Sequence, residues 1–481
     1  MTNKTAVTGL PSAEVAVRAP AARIAPVRLT GGRPMRVRRA VGLSTALVAC
    51  MLLTGCGMFD WLGFGDDNKP KEKLAGNRIS VLQLDQQIEP DSQAQSKQVT
   101  LPDAVTNADW AQPGGNAAHN PGHVTLPKTL KEAWKVSIEG SSSDNRLLDG
   151  PVVADGKVYL LDTDFVLHAF DEATGKKVWE SEMKRPDQEG SAMGGGVAVG
   201  DGAVFVTTGY GEAIKVDPKD GKVAWRQRIA APIRSGPTVA GGRVFVVTID
   251  NQCIVLASNN RVLQWTHAGF PEPAALLGGA SAAVENDVTI IPYSSGELYA
   301  LRVDNGHPAW SDNLASSRRG ANLANLADIK GLPVVDRGQV YAVSYSGRMV
   351  AIDQRTGQHV WEQDVGGQNQ PAVVGDWVFV LNNEAQLVAL TRDTGRVRWI
   401  KQLERWENPE KRKDPINWVG PIAAGGRLIM ANSLGQVVEA SPTNGDILNK
   451  IEFDDPISVA PIVVNNTLFV LTDDGDLFAY R

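Results

Sequence analysis

From about residue 131 to the end, the chain is built of short runs in which apolar and polar residues alternate. Each run is four to seven residues long, β-branched or aromatic, and bounded by glycine-rich turns. A period of two marks a strand with one buried face, and no helical period persists. The runs recur as a longer unit. It reads Pro-Val-Val-Ala-x-Gly-x-Val-Tyr-Val, then five to eight residues, then Leu-x-Ala-Leu-Asp-x-x-Thr-Gly-Lys-x-x-Trp. Its head stands at Pro151, Val197, Pro237, Ser281, Pro333, Pro371, Pro421 and Pro461, at spacings of 46, 40, 44, 52, 38, 50 and 40. A repeat of about 40–50 residues built from short strands is the signature of a propeller blade. Asp155-Gly156, Asp201-Gly202 and Gly241-Gly242 fall between two strand-like runs and predict tight hairpins.

Each unit predicts four antiparallel strands, running from an inner one to an outer one that carries the closing tryptophan. Those tryptophans are Trp179, Trp225, Trp265, Trp310, Trp361 and Trp399, with Leu448 taken as the replacement in the last cycle. Eight heads predict an all-β, eight-bladed propeller. The last unit has no outer strand of its own, and Trp134 precedes the first head. Residues 131–138 are therefore expected to complete the eighth blade by strand exchange, leaving no open edge. On this reading, deletion up to Thr129 leaves a folded domain. The repeated Gly175, Gly221, Gly306, Gly357, Gly395 and Gly445 read as turn residues, and the indoles as packing between blades.

Charge divides the chain. Residues 1–55 carry eight basic residues against Glu14 alone, so the remaining 426 residues hold 40 basic and 53 acidic residues, a net −13. Arg36, Arg38 and Arg39 precede an apolar stretch, 40–53, that is short for a membrane span and reads as a signal peptide. It ends in Leu53-Thr54-Gly55-Cys56, which resembles the bacterial lipoprotein box. The expected organisation is a signal peptide over 1–55 (with Met35 a possible start), lipidated Cys56 with a flexible tether to 109, and the propeller over 110–481. Gly57 follows the cysteine. In lipoproteins generally, the absence of aspartate at that position favours the outer membrane.

The acidic balance excludes a basic footprint for nucleic acid. His168, His267, His307 and His359 fall in different units without metal-ligand spacing. Gly194-Gly195-Gly196 and Gly278-Gly279 do not open a helix after a strand and are not phosphate loops. Cys253, in an apolar strand, reads as a buried thiol. Asp250, Asp353 and Asp473 read as caps of turns and strand ends.

The repeat resembles the pyrroloquinoline-quinone-type propeller repeat, over roughly 131–481. Two families share it: the quinoprotein dehydrogenases, and the BamB family of outer-membrane assembly lipoproteins. The dehydrogenases imply a Ca²⁺ site, an aspartate base and, in many, a disulfide between adjacent cysteines. Here Cys50 and Cys56 belong to the signal region, and Cys253 stands alone. The lipoprotein box, the single propeller, the strand exchange and the run Trp110-Ala-Gln-Pro-Gly-Gly-Asn116 are similar to the BamB family. That resemblance implies a scaffold without catalysis, cofactor or metal. It implies anchoring in the outer membrane by lipid on Cys56, and binding of the periplasmic POTRA domains of the central β-barrel insertase. In the family the contact uses loops before the fourth and fifth blades, which match 274–279 and 321–330 here. The first reads Ala274-Ala275-Leu276-Leu277-Gly278, lacking the family's basic residue. The second ends Asp328-Ile329-Lys330, where the family has two acids. The implied contact residues are Leu276, Leu277, Leu323, Leu326, Asp328 and Lys330, with 405–418 as a second candidate loop.

Overall fold

The computed structural model describes residues 88–481 apart from 143–144, 189, 191, 230 and 316–325. They form eight four-stranded antiparallel sheets and one two-stranded hairpin. Blade 1 is typical: Val152–Ala154, Lys157–Leu161, Val166–Asp171 and Lys177–Glu182, from the centre outwards. Blades 2 to 7 follow at 195–228, 238–268, 283–313, 334–363, 372–402 and 418–452. The hydrophobic contacts lie between neighbouring sheets. Tyr159 and Leu167 of blade 1, for example, share a cluster with Val197 and Ile214 of blade 2. Propeller blades bury both faces in this way, so the inner three strands of each are apolar almost throughout.

Blade 8 takes Ile462–Val464, Thr467–Leu471 and Asp476–Tyr480 from one end of the chain and Glu132–Ser137 from the other. Trp134 pairs with Ala479, and Lys131 and Arg481 exchange both backbone hydrogen bonds at 2.8 and 2.9 Å. The strand exchange read from the orphan Trp134 is the way the ring closes.

The tryptophan row has one geometry. Each indole Nε1–H donates to a backbone carbonyl in the turn between the third and outer strands of the next blade. Examples are Trp134 to Glu172 at 3.1 Å, Trp265 to Val303 at 2.9 Å and Trp361 to Arg392 at 2.7 Å. The ring lies over the turn glycine, and a Cβ on Gly395 would meet Trp361 at 2.5 Å. Gly395 also has φ +64°, so both space and backbone demand glycine. Within their own blades Trp134, Trp179, Trp310, Trp361 and Trp399 each face an alanine of the third strand, whereas Trp225 faces Lys215 and Trp265 faces Val255. The bond to the outer strand carries a bulge one residue before the indole. That bulge corrects the reading of blade 7. Glu439 pairs with Asn449 and Ala440 with Ile447, so Leu448 is the bulged residue and Asn449 holds the tryptophan position. The physical reason for the loss lies next door. In blade 8 the third and outer strands come from opposite ends of the chain, so no turn joins them and no turn carbonyl awaits an indole.

The second correction concerns the segment before the propeller. The stretch 88–109 is docked, not flexible. A one-turn helix, Ser92–Gln95, is capped by Asp91, whose N–H donates to Val397 O at 2.8 Å on the outer strand of blade 6. Arg398 Nε reaches Lys97 O at 2.8 Å, and Val99 is buried with Trp377 and Val374. From there the chain makes a full circuit of the ring centre. Asn107 bonds Val463 and Asn465 of blade 8. Trp110 exchanges two backbone bonds with Val153 of blade 1, and Ala111 O accepts Val199 N–H of blade 2. The Gln112 amide makes both bonds to the Val239 backbone of blade 3. Ala117 O and Ala118 O accept Val284 N–H and Val335 N–H of blades 4 and 5. His119 O accepts Gln370 Nε2, at the entry to blade 6, and Val124 bonds Ala423 and Gly425 of blade 7. Arg427, in a buried pair with Glu439 at 2.9 Å, then holds the carbonyls of Pro127 and Lys128. The segment is a strap touching all eight blades in order, so the deletion up to Thr129 expected above to leave a folded domain would remove all of these contacts.

The strand connectivity sorts the loops. Inner-to-second hairpins and third-to-outer turns lie on one face, together with the strap. Second-to-third hairpins and the connections between blades lie on the other.

Candidate partner-binding rim

On that second face, the connection from blade 3 to blade 4 is long because Gly269 to Ala280 makes no sheet. Leu276 is half-buried, and Leu277 is 45% exposed. The connection from blade 4 to blade 5 re-enters the described structure at Leu326, which is half-buried. Leu323 lies outside the described residues, as does Cys56. The two connections meet. Asp328 Oδ2 accepts the Leu276 N–H at 2.8 Å, and its own backbone carbonyl accepts Tyr345 N–H at 2.9 Å. Only 6% of Asp328 is exposed. Burial pushes its carboxyl above the usual carboxylate range, opposed by the Leu276 N–H and the Lys330 charge. The acid expected to accept a partner's hydrogen bond is therefore turned inward, tying one loop to the other.

Lys330 points elsewhere. Its stem runs under Gly278, where a Cβ would stand 3.2 Å from Cε. Its ammonium lies 3.5 Å from Gln368 Oε1, and burial lowers its pKa against the pull of Asp328. It lines a central cavity of about 200 Å³, whose other walls include Trp110, Pro121, Asp149 and Gln370. So the five implied residues that are described divide. Leu276, Leu277 and Leu326 belong to the rim, Asp328 fastens it, and Lys330 faces the channel.

The remaining candidates hold no chemistry of their own. Cys253 is fully buried, and burial pushes its thiol up. Asp353 caps its turn through Thr356, and Asp473 holds Ser458. Among the described residues no three His, Cys, Asp or Glu side chains gather as a metal site would require. The loop 405–418 forms a hairpin, Trp406–Asn408 with Lys413–Pro415, whose Arg405 stacks on Trp406 at 5.3 Å. Sequence reasoning puts Phe270 in the same candidate gap as Leu276 and Leu277 but not among the contact residues. Its position in the gap after Trp265 is visible, but nothing in sequence says that its ring points out.

The family model described as outer membrane protein assembly factor BamB matches residues 122–189 and 163–401, together more than half of the chain. The chain belongs to the BamB family. An outer membrane protein assembly factor BamB from Yersinia pestis is 24% identical over 369 residues, covering 74% of this chain and 91% of its own. The crystal structure of BamB from Moraxella catarrhalis superposes with a TM-score of 0.61 at 19% identity, covering 73% of this chain and 98% of that one. A quinohemoprotein alcohol dehydrogenase from Comamonas testosteroni reaches 0.60 at 14% identity, over 78% and 81%. The two superpositions share a fold and do not separate the two functions. The family match does, and it assigns the chain to assembly factors rather than to enzymes. BamB membership also places the protein at the periplasmic face of the outer membrane, lipid-anchored.

Proposed function

We propose that this BamB-family protein is a non-catalytic scaffold of the outer-membrane β-barrel assembly machinery. It docks the periplasmic POTRA region of the central insertase on the rim formed by the blade 3–4 and blade 4–5 connections, and it is held to the membrane by lipid on Cys56. The observation that carries the docking reading is the joining of the two connections by the Leu276–Asp328 bond, which brings Leu276, Leu277 and Leu326 onto one rim. Apolar side chains set on a rigid frame and surrounded by polar surface are what an interface centre requires. The lipid-anchor reading rests on Leu53-Thr54-Gly55-Cys56 behind its basic segment.

The test is a titration of the full-length lipoprotein with the full-length insertase of the same bacterium, in detergent. Replacing Leu276 and Leu277 together by alanine should weaken binding by at least about tenfold while the melting temperature holds. Undiminished affinity would refute the rim. Cys56→Ser should release the protein from the membrane fraction, and continued sedimentation with membranes would refute the anchor.

A further inference from the structure

Phe270 lies near the start of the same connection and is 70% exposed. Its backbone is fixed from both sides. The N–H donates to Glu297 Oε2 at 2.7 Å, and the carbonyl accepts Asn251 Nδ2 at 2.6 Å. Both partners are buried, Asn251 at 2% and Glu297 at 5% exposure. They are held in turn. Asn251 Oδ1 accepts Ser294 N–H and Oγ–H, and Glu297 accepts Ser295 Oγ–H and Tyr299 O–H. The preceding Gly269 packs on Tyr293, where a Cβ would come within 2.5 Å. Burying a carboxylate and an amide is costly unless both are bonded. Here that bonding fixes the backbone of a residue that is itself mostly exposed.

The loop beyond is stiff as well. Pro271 and Pro273 restrict it, and the Leu276–Asp328 bond closes it. An exposed aromatic ring on a fixed backbone has only its two side-chain torsions left to lose when it is covered, which keeps the entropic cost of binding low. The loop from 270 to 279 contains a single charge, Glu272.

We infer that Phe270 is the aromatic anchor of the partner contact, entering an apolar pocket of the partner that carries a basic group beside it for Glu272. This rests on the rim reading above and deepens it. Phe270 takes the role of the central hot spot, with Leu277 exposed further along the same loop. The buried pair Asn251 and Glu297 are positioning residues.

The test uses the full-length lipoprotein and the full-length insertase in detergent, with a thermal melt of each variant. Phe270→Ala should bind at least about tenfold more weakly and melt with the parent. Phe270→Tyr should bind like the parent. Glu272→Lys should weaken binding most at low salt. If Phe270→Ala binds like the parent while the Leu276/Leu277 double variant does not, the anchor is overturned and the rim stands. If both bind like the parent, the rim itself is wrong and the anchor falls with it. A melting temperature lowered in Phe270→Ala would assign the ring a structural role and overturn the inference.

Discussion

The backbone N–H of Leu276 donates to the carboxylate of Asp328 across 52 positions of sequence, at 2.8 Å. One buried bond thus sets the spacing of two inter-blade connections. Asp328→Ala should release the blade 3–4 loop, cost about 1–3 kcal/mol as a lost hydrogen bond to a charged group, and weaken insertase binding although Asp328 itself is turned away from the surface. Asp328→Asn keeps an acceptor and should retain most of both. Urea unfolding and a binding titration read the two effects. Equal binding by the alanine and parent proteins would show that the bond does not position the rim.

The strap makes an opposite pair of predictions for truncation. Removal of 57–87 leaves every described contact in place and should not change the unfolding midpoint. Extending the deletion to 125 removes Trp110 and the circuit of bonds to eight blades. Loss of a buried tryptophan alone costs about 3–5 kcal/mol, so the midpoint should fall sharply and the transition should broaden. A cooperative, parent-like transition in the longer deletion would contradict the strap's role.

The indole row predicts an asymmetry. Trp361→Ala removes a buried ring, its bond to Arg392 O and its cover over Gly395, and should cost about 3–5 kcal/mol. Asn449→Trp restores the repeat pattern but meets no turn in blade 8, and Glu439 rather than alanine stands opposite. It should bring no gain in stability. Chemical denaturation of both variants decides, and a stabilised Asn449→Trp would mean that blade 8 does offer an acceptor.

Asp149 carries a pH signature. Its carboxylate accepts the N–H groups of Gly150 and Gly236 at 2.9 and 2.7 Å, and a Cβ on Gly196 would collide with it. Burial raises its pKa from 3.8 to about 7 against the pull of those two N–H groups. The folded protein therefore keeps a proton that the unfolded chain has lost, and stability falls as pH rises from 3.8 to about 7. His119 acts in the opposite sense. Burial lowers it from 6.5 to about 4, opposed by its bond to Pro333 O, so its contribution is lost as pH falls below 6.5. Of these two, only Asp149 contributes a slope above pH 6.5. Asp149→Asn should flatten the fall in melting temperature there. An unchanged slope would mean that Asp149 titrates normally.

The blade count was legible because the repeat is written in side chains: a proline at six of the eight heads, an alanine opposite most of the tryptophans, and a turn glycine under most of them in the next blade. The exchange strand was legible because Trp134 had no unit of its own. The strap was not. Apart from Trp110 and the Gln112 amide it bonds mostly through backbone N–H and C=O groups, which carry no sequence period. Leu448 was misplaced by one residue because a bulge shifts register without altering composition. At the rim, the leucines could be read as a patch, but an acid in a loop looks the same in sequence whether it faces a partner or fastens its neighbour, as Asp328 does. Phe270 could be seen in the same gap, but its exposure could not, since its backbone is held by Asn251 and Glu297 from two other hairpins.

The most direct test of the docking face is contact-dependent photo-crosslinking in cells, with a photoreactive phenylalanine analogue replacing Leu277 in one strain and Ala173 in another. Ala173 lies in a third-to-outer turn, on the face opposite the rim. The scaffold account predicts an adduct with the POTRA region of the insertase from position 277 and none from position 173. An adduct from position 173 alone would place the partner on the strap side and contradict the account.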